Sequence, residues 1–155
     1  MPYDSCDIKV VKAYMRMICE IAAFRLRKKS LKSSNIYLGI RYGDFSFWGM
    51  QKQLGEHISD TKTIYEICCG LLQNIYPFER SVRLIAVRLG NLAKDDGQEF
   101  IFDSMNREDK ISKTVDAINA AYGDFVLKPA SHLIAENFGI QKNCGMVERE
   151  KINKV

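Results

Sequence analysis

A chain of 155 residues with 23 Lys and Arg against 19 Asp and Glu, net charge +4, can bury one real core but is too short for a large multidomain enzyme. Its mild positive charge permits an anionic partner without demanding one, and the five cysteines (Cys6, Cys19, Cys68, Cys69, Cys144) include no CxxC pair. Free thiols are therefore expected rather than a disulfide framework or a zinc site, and with no apolar run of membrane-span length and no signal-like start the expectation is a soluble, cytoplasmic protein without a membrane partner.

Between Ile8 and Lys29 the apolar residues Val11, Met15, Ile18, Ala22 and Leu26 recur at helical spacing, with Asp7 as the N-cap. The end of this helix and the segment after it, Phe24 to Lys32 (FRLRKKSLK), carry Arg25, Arg27, Lys28, Lys29 and Lys32 without an acid. Two readings of these cations stand side by side. They are either ordinary favourable charges at a helix C-terminus or one border of a surface for a polyanion.

Leu31 to Gln53 reads as a β-hairpin. Ile36, Leu38, Ile40 and Tyr42 alternate with Asn35, Tyr37, Gly39 and Arg41, so one face is suited to burial and the other carries polar and aromatic groups. Gly43-Asp44 is expected to turn the chain, with Phe45, Phe47 and Trp48 running on beyond it. Packing is the expected role of Tyr37, Tyr42, Phe45, Phe47 and Trp48, and base stacking is the lesser alternative.

Gln53 to Ser59 reads as a polar loop. Asp60 then caps a helix running to about Ile75, with Ile64, Ile67, Cys68, Leu71, Leu72 and Ile75 on its stripe and Pro77 ending it. Neighbours on a helix point about 100° apart, so Cys68 and Cys69 read as packing residues rather than ligands of one metal. Ser81 to Leu92 is a third strand, with Ile85, Val87 and Leu89 on one face and Val82, Leu84, Ala86 and Arg88 on the other. Arg80, Arg83 and Arg88 either extend the basic surface or are solvated charges guarding a sheet edge.

The order helix, strand, strand, helix, strand predicts an α+β fold: an antiparallel or mixed sheet with two helices on one face, followed by a C-terminal helical tail. The other face would be open, and an open face with a basic rim is a common way to grip a nucleic-acid backbone. Ala93 to Asn106 reads as a polar linker with the apolar island Phe100, Ile101 and Phe102. From Arg107 a further helix carries Ile111, Val115, Ile118 and Tyr122 on one stripe and stops at Gly123. The two histidines, His57 and His132, have no serine, cysteine and acid at a motif spacing, and no Gly-rich phosphate loop or metal-ligand cluster is present, so the residues give no support to an enzyme in its own right.

Three phrases in this order, AAFRLRKKSLKSSNIYLGIRYGDF (22–45), SDTKTIYEICCGLL (59–72) and SVRLIAVRLGNL (81–92), resemble the C-terminal little-finger domain of bacterial Y-family translesion DNA polymerases of the DinB and UmuC (ImpB/MucB/SamB) type. The resemblance runs from Ile18 to Lys94. GQEFIFD (97–103) is similar to the Gln-x-x-apolar-Phe peptide by which such polymerases hold the sliding clamp, with Glu99 where leucine is common, and TVDAINAAYGDFVLKPAS (114–131) looks like the helix and short strand that follow in the UmuC-like branch.

The resemblance implies a little-finger-like domain at 6–94, a linker with a clamp-binding peptide at 95–106, and a C-terminal helix and tail at 107–155. It implies a DNA-binding part of an error-prone repair polymerase, with no catalysis and no cofactor in this stretch, because Mg²⁺ would belong to a palm domain. The implied partners are primer-template duplex and sliding clamp. Lys28, Lys32, Ser33, Ser34, Arg41, Lys52, Arg83 and Arg88 are the expected phosphate contacts, and Gln98, Ile101 and Phe102 the clamp contacts. The family's first sheet strand would precede Cys6, where only MPYDS stands, so three of four strands and an exposed edge open to self-association are expected. The other functional class is an interaction adaptor that uses the sheet edge and the QEFIF peptide without touching DNA.

Overall fold

The structure, a computed structural model, describes residues 4–95, 103–123, 126, 127 and 130. Strands β1 (Leu31–Tyr42), β2 (Phe47–Ile58) and β3 (Val82–Lys94) form an antiparallel sheet in the order β2-β1-β3. Helices α1 (Ile8–Lys28) and α2 (Thr61–Leu72) cover one face, α1 over β1 and β3, α2 over β1 and β2. This is the expected α+β architecture, antiparallel rather than mixed.

Both helices begin where a side chain can take up orphan amides. The Asp7 carboxylate accepts from the Lys9 amide at 2.8 Å and Asp60 accepts from the Thr63 amide at 2.7 Å. Helix α2 closes at Leu72, a turn earlier than its apolar stripe suggests, and tightens into a 3₁₀ turn at Gln73–Ile75. Ile36, Leu38 and Ile40 of the central strand are wholly buried against Val11, Met15 and Cys19 of α1 and Ile64, Cys68 and Leu72 of α2. Each such aliphatic side chain contributes about 1.5–3 kcal/mol by leaving water.

The structure corrects the expected elements at four places. Residues 53–58, expected as loop, continue β2 to Ile58: Gln53 pairs with Asn35 and Ile58 with Ser33, and the residues between them span the register shift of an edge strand. The hairpin loop spans Gly43 to Ser46, with Phe45 inside it. A register shift opposite Arg41 and Tyr42 pairs Tyr42 with Val82, which returns Val82 to the core instead of the open face. Helix α3 (Asp103–Tyr122) starts four residues before Arg107, and its stripe residues Ile111, Ile118 and Tyr122 remain exposed. At the outer edge of β3, Ser5 and Val82 exchange two backbone hydrogen bonds of 3.1 and 2.9 Å.

Polar contacts rather than the apolar stripe hold α3. The Arg27 guanidinium donates to Asp116 at 2.5 and 3.0 Å and to the Ser59 carbonyl at 2.9 Å, so one side chain ties the end of α1 to the start of α2 and to α3. Asn119 is buried and closes on the Leu127 backbone with bonds of 2.7 and 2.9 Å. Gly123, at φ 117°, stops the helix as expected.

Glu20 sits beside this junction. Burial raises its carboxyl above the usual range; Arg27 and Arg16 pull it back and Asp116 pushes it up, while Oε2 has no hydrogen-bond partner among the described residues. A carboxyl raised on folding binds its proton more tightly in the native state, so stability is lost as pH climbs from the unfolded value toward the folded one. Glu20→Gln is therefore expected to raise the unfolding midpoint by a few degrees at pH 7, with the gain shrinking to nothing well below pH ~4.5, the usual range of a free glutamate. Thermal melts of both proteins across that range check it, and an equal gain at all pH values would contradict it.

Candidate nucleic-acid interface

Residues directly opposite one another in adjacent strands share a face. With Ile36, Leu38 and Ile40 turned to the helices, Asn35, Tyr37, Gly39 and Arg41 must turn away. Their partners go with them: Gln53, Gln51, Gly49 and Phe47 from β2, and Gly90, Arg88, Ala86 and Leu84 from β3. None of these twelve residues is acidic. No described helix packs on this side.

At the centre of the open face two glycines make a seat. A Cβ on Gly49 would collide with the Tyr37 hydroxyl and lie 2.8 Å from Tyr37 Cζ; one on Gly39 would lie 3.1 Å from both Phe47 Cζ and Tyr37 Cε1. Tyr37 and Phe47 therefore lie across bare backbone. Arg88 places its guanidinium carbon 4.7 Å from the Tyr37 ring centre.

At the hairpin tip, Phe45 is held between two arginines, with the guanidinium carbons of Arg41 and Arg83 5.0 and 4.8 Å from its ring centre. Arg83 is the extra residue of the bulge that places Leu84 opposite Arg41 and Val82 opposite Tyr42, which brings its side chain to the ring. It also forms a two-pronged bond with Asp4, at 2.9 to 3.2 Å, which raises its already high pKa. Arg80 bonds Asp44 at 2.9 Å. Hydrogen bonds from Ser46, aided by Arg80, hold the Asp44 carboxyl below its usual range.

The expected phosphate contacts divide accordingly. Arg41, Arg83 and Arg88 are brought together on the open side. Lys52 lies directly opposite Ile36, so it leaves the sheet on the helix side, exposed at the edge strand. Lys28 belongs to the last turn of α1 in the helical layer, 5.8 Å from the Phe24 ring. Lys32, Ser33 and Ser34, expected to hold phosphate, are buried instead. Lys32 is 6% exposed and its ammonium meets Asp95 at 2.8 Å. The Ser33 hydroxyl donates to the Gly90 carbonyl at 2.6 Å, and the Ser34 hydroxyl accepts from Asn91 and Gln53 at 2.5 and 3.1 Å. These groups close the irregular end of the sheet, where β1 and β2 slip register between Ser33 and Asn35. The clamp-like residues Gln98, Ile101 and Phe102, and His132, lie outside the described residues.

Of the aromatic residues, Tyr42 and Trp48 belong to the core side, whereas Tyr37, Phe45 and Phe47 belong to the open side, the last two 60% exposed. Sequence reasoning missed the glycine seat and the left-handed tip. The signal for the first is a pair of glycines, Gly39 and Gly49, that fall opposite each other once the hairpin is closed. A cleft of about 450 Å³ beside the tip is lined by Tyr42, Asn74, Tyr76, Glu79 and Arg80. Among the described residues no three His, Cys, Asp or Glu side chains converge as a metal site would require, and no helix is long and apolar enough to cross a membrane.

A helix-backed antiparallel sheet with one uncovered, arginine-bearing face defines a domain of α+β class. The family model of the impB/mucB/samB C-terminal domain matches residues 1–100, and the chain belongs to that family. Among curated relatives it is 28% identical over 127 residues to DNA polymerase IV of Clostridium acetobutylicum, covering 80% of this chain and 32% of that one. It is 26% identical over 121 residues to DNA polymerase IV of Dehalococcoides mccartyi, covering 77% and 31%. The chain thus spans about a third of the length of these relatives. Its fold is similar to that in the insertion ternary complex of Dbh DNA polymerase, with a TM-score of 0.53 and 24% identity over 61% of this chain and 27% of that one.

Phe45 has φ 67°, a left-handed backbone that costs a non-glycine residue about 1–2 kcal/mol. Its two arginine contacts return about 0.5–1 kcal/mol each at an exposed site. Phe45→Ala keeps the backbone cost and loses the contacts, whereas Phe45→Gly loses both. Urea unfolding is expected to rank Phe45→Gly above Phe45→Ala by about 1 kcal/mol. The reverse order would show that the tip is not strained.

Proposed function

We propose that this chain is the DNA-holding module of a Y-family translesion polymerase, gripping the sugar-phosphate backbone of primer-template duplex in DNA repair and performing no chemistry itself. The observation that carries the reading is the grouping of Arg41, Arg83 and Arg88 on a sheet face that has no acidic residue of its own strands. Membership of the impB/mucB/samB C-terminal family and likeness to chains named DNA polymerase IV support it. The chemistry is assigned to a palm domain that would carry the Mg²⁺. The same family membership disfavours the adaptor reading.

Guanidinium contacts to phosphate neutralise charge without reading bases, so binding would be weak, little dependent on sequence and steeply salt-dependent. Titration of the full chain with labelled duplex should give a dissociation constant of roughly 10⁻⁴ to 10⁻⁶ M near physiological salt, with a log-log salt slope of about −0.9 per phosphate neutralised. Arg88→Ala should lower that slope by about one contact. Binding that ignores salt, or that survives unchanged when Arg41, Arg83 and Arg88 are all replaced by alanine, would defeat the proposal.

The QEFIF sequence at 98–102 supports tethering to a sliding clamp, with Gln98 as the hydrogen-bonding anchor and Ile101 and Phe102 as the apolar one. Recovery of clamp by the wild-type chain but not by Phe102→Ala is the expected pull-down result. Equal recovery by both would remove the peptide from the proposal.

A further inference from the structure

Phosphate contact leaves one feature of the open face without a role. Phe45 and Phe47 are each 60% exposed beside the exposed Leu84, and Tyr37 is pinned flat by the glycine seat beneath it and Arg88 above it. Rings that hold arginines can serve phosphate contact, but Phe47 has no guanidinium on it among the described residues. A surface that only gripped phosphates would gain nothing by keeping that ring in water. The arrangement is also built rather than incidental. Gly39 and Gly49 both lack the side chain that would lift the rings, and Phe45 adopts a left-handed backbone that places its ring between Arg41 and Arg83.

We infer that this half of the open face is a stacking site for unpaired nucleobases, with Phe47 and Phe45 as the platforms and Arg88, Arg41 and Arg83 holding the flanking phosphates. Every base has a π-face, so aromatic platforms accept single strands with little sequence preference, and a guanidinium plane extends the stack. Charge decides between this occupant and a protein: the rings are interleaved with three arginines, and the two carboxylates described at the tip, Asp4 and Asp44, are paired with Arg83 and Arg80. The inference shares the nucleic-acid reading above but concerns a different ligand, single-stranded rather than duplex, and a different contact, base rather than phosphate.

Fluorescence anisotropy of the full chain with two probes separates the contacts. One probe is oligothymidylate of about 12 nucleotides, within the usual site size; the other is a strand of equal length made of abasic residues, with the same phosphates and no bases. The thymidylate should bind at least fivefold more tightly, and Phe47→Ala should erase that preference while leaving the salt slope of duplex binding unchanged. Gly49→Ala keeps every aromatic and every charge but lifts Tyr37, and should weaken the thymidylate selectively. Circular dichroism confirms that each variant is folded. Equal affinity for the two probes, or a preference untouched by Phe47→Ala, overturns the inference and leaves the duplex proposal standing. Loss of duplex binding with a surviving base preference would do the opposite, and failure to bind either single strand would overturn the inference.

Discussion

The structure depends on a strand that is hydrogen-bonded along both sides. Because β1 pairs with β2 and β3 at once, its residues have no rotational freedom, and the burial of Ile36, Leu38 and Ile40 fixes which way Tyr37, Gly39 and Arg41 face. A slip of one residue would exchange the two sets. Exposing three wholly buried aliphatic side chains at about 1.5–3 kcal/mol each would consume much of the roughly 5–15 kcal/mol by which a domain is stable. The apolar side of the strand thus locates the arginines and rings of the other side, although it touches no ligand.

What makes the open face more than a polar surface comes from breaks in regularity. The bulge at Arg41 and Tyr42 sends Val82 inward and brings Arg83 to the tip ring. The loop of four residues puts a phenylalanine in its left-handed position, where a glycine would be easier, while Gly39 and Gly49 stand under Tyr37 and Phe47. Each departure moves a ring or a guanidinium toward the same patch. Regular pairing would have left Phe45 in a strand and Arg83 pointing toward the helices.

Much of this was legible in the sequence. Helical spacing located α1 and α2, the two aspartate caps gave their first turns, and period-two alternation in 35–42 assigned both faces of β1 correctly. What escaped was set by contacts distant in the chain. Arg27 and Lys32 read as free cations because the segment around them holds no acid, yet Asp116 arrives from 89 residues away and Asp95 from the far end of β3. Residues 53–58 read as loop because the register shift between Gln53 and Ile58 lies on an exposed edge strand, where no apolar alternation is required. Val82 was misplaced because a bulge breaks the alternation without leaving a trace in composition.

The same long-range pairing explains why lysine count is a poor guide to the interface. Lys32 is consumed in an interior ion pair and Lys28 and Lys52 sit with the helical layer, while Arg41 and Arg83 at the tip of the open face and Arg88 at its centre rest on rings. That preference has a physical basis. A guanidinium is planar, sheds water more readily than an ammonium and keeps donors free at its edge while its face lies on an aromatic ring. An arginine already held over Tyr37 or Phe45 has surrendered part of its rotamer freedom before any ligand arrives, so less is lost when a phosphate meets it. A chain of net charge +4 can in this way concentrate its useful charge in three side chains, and the rings that hold those side chains are the surface against which an unpaired base would come to rest.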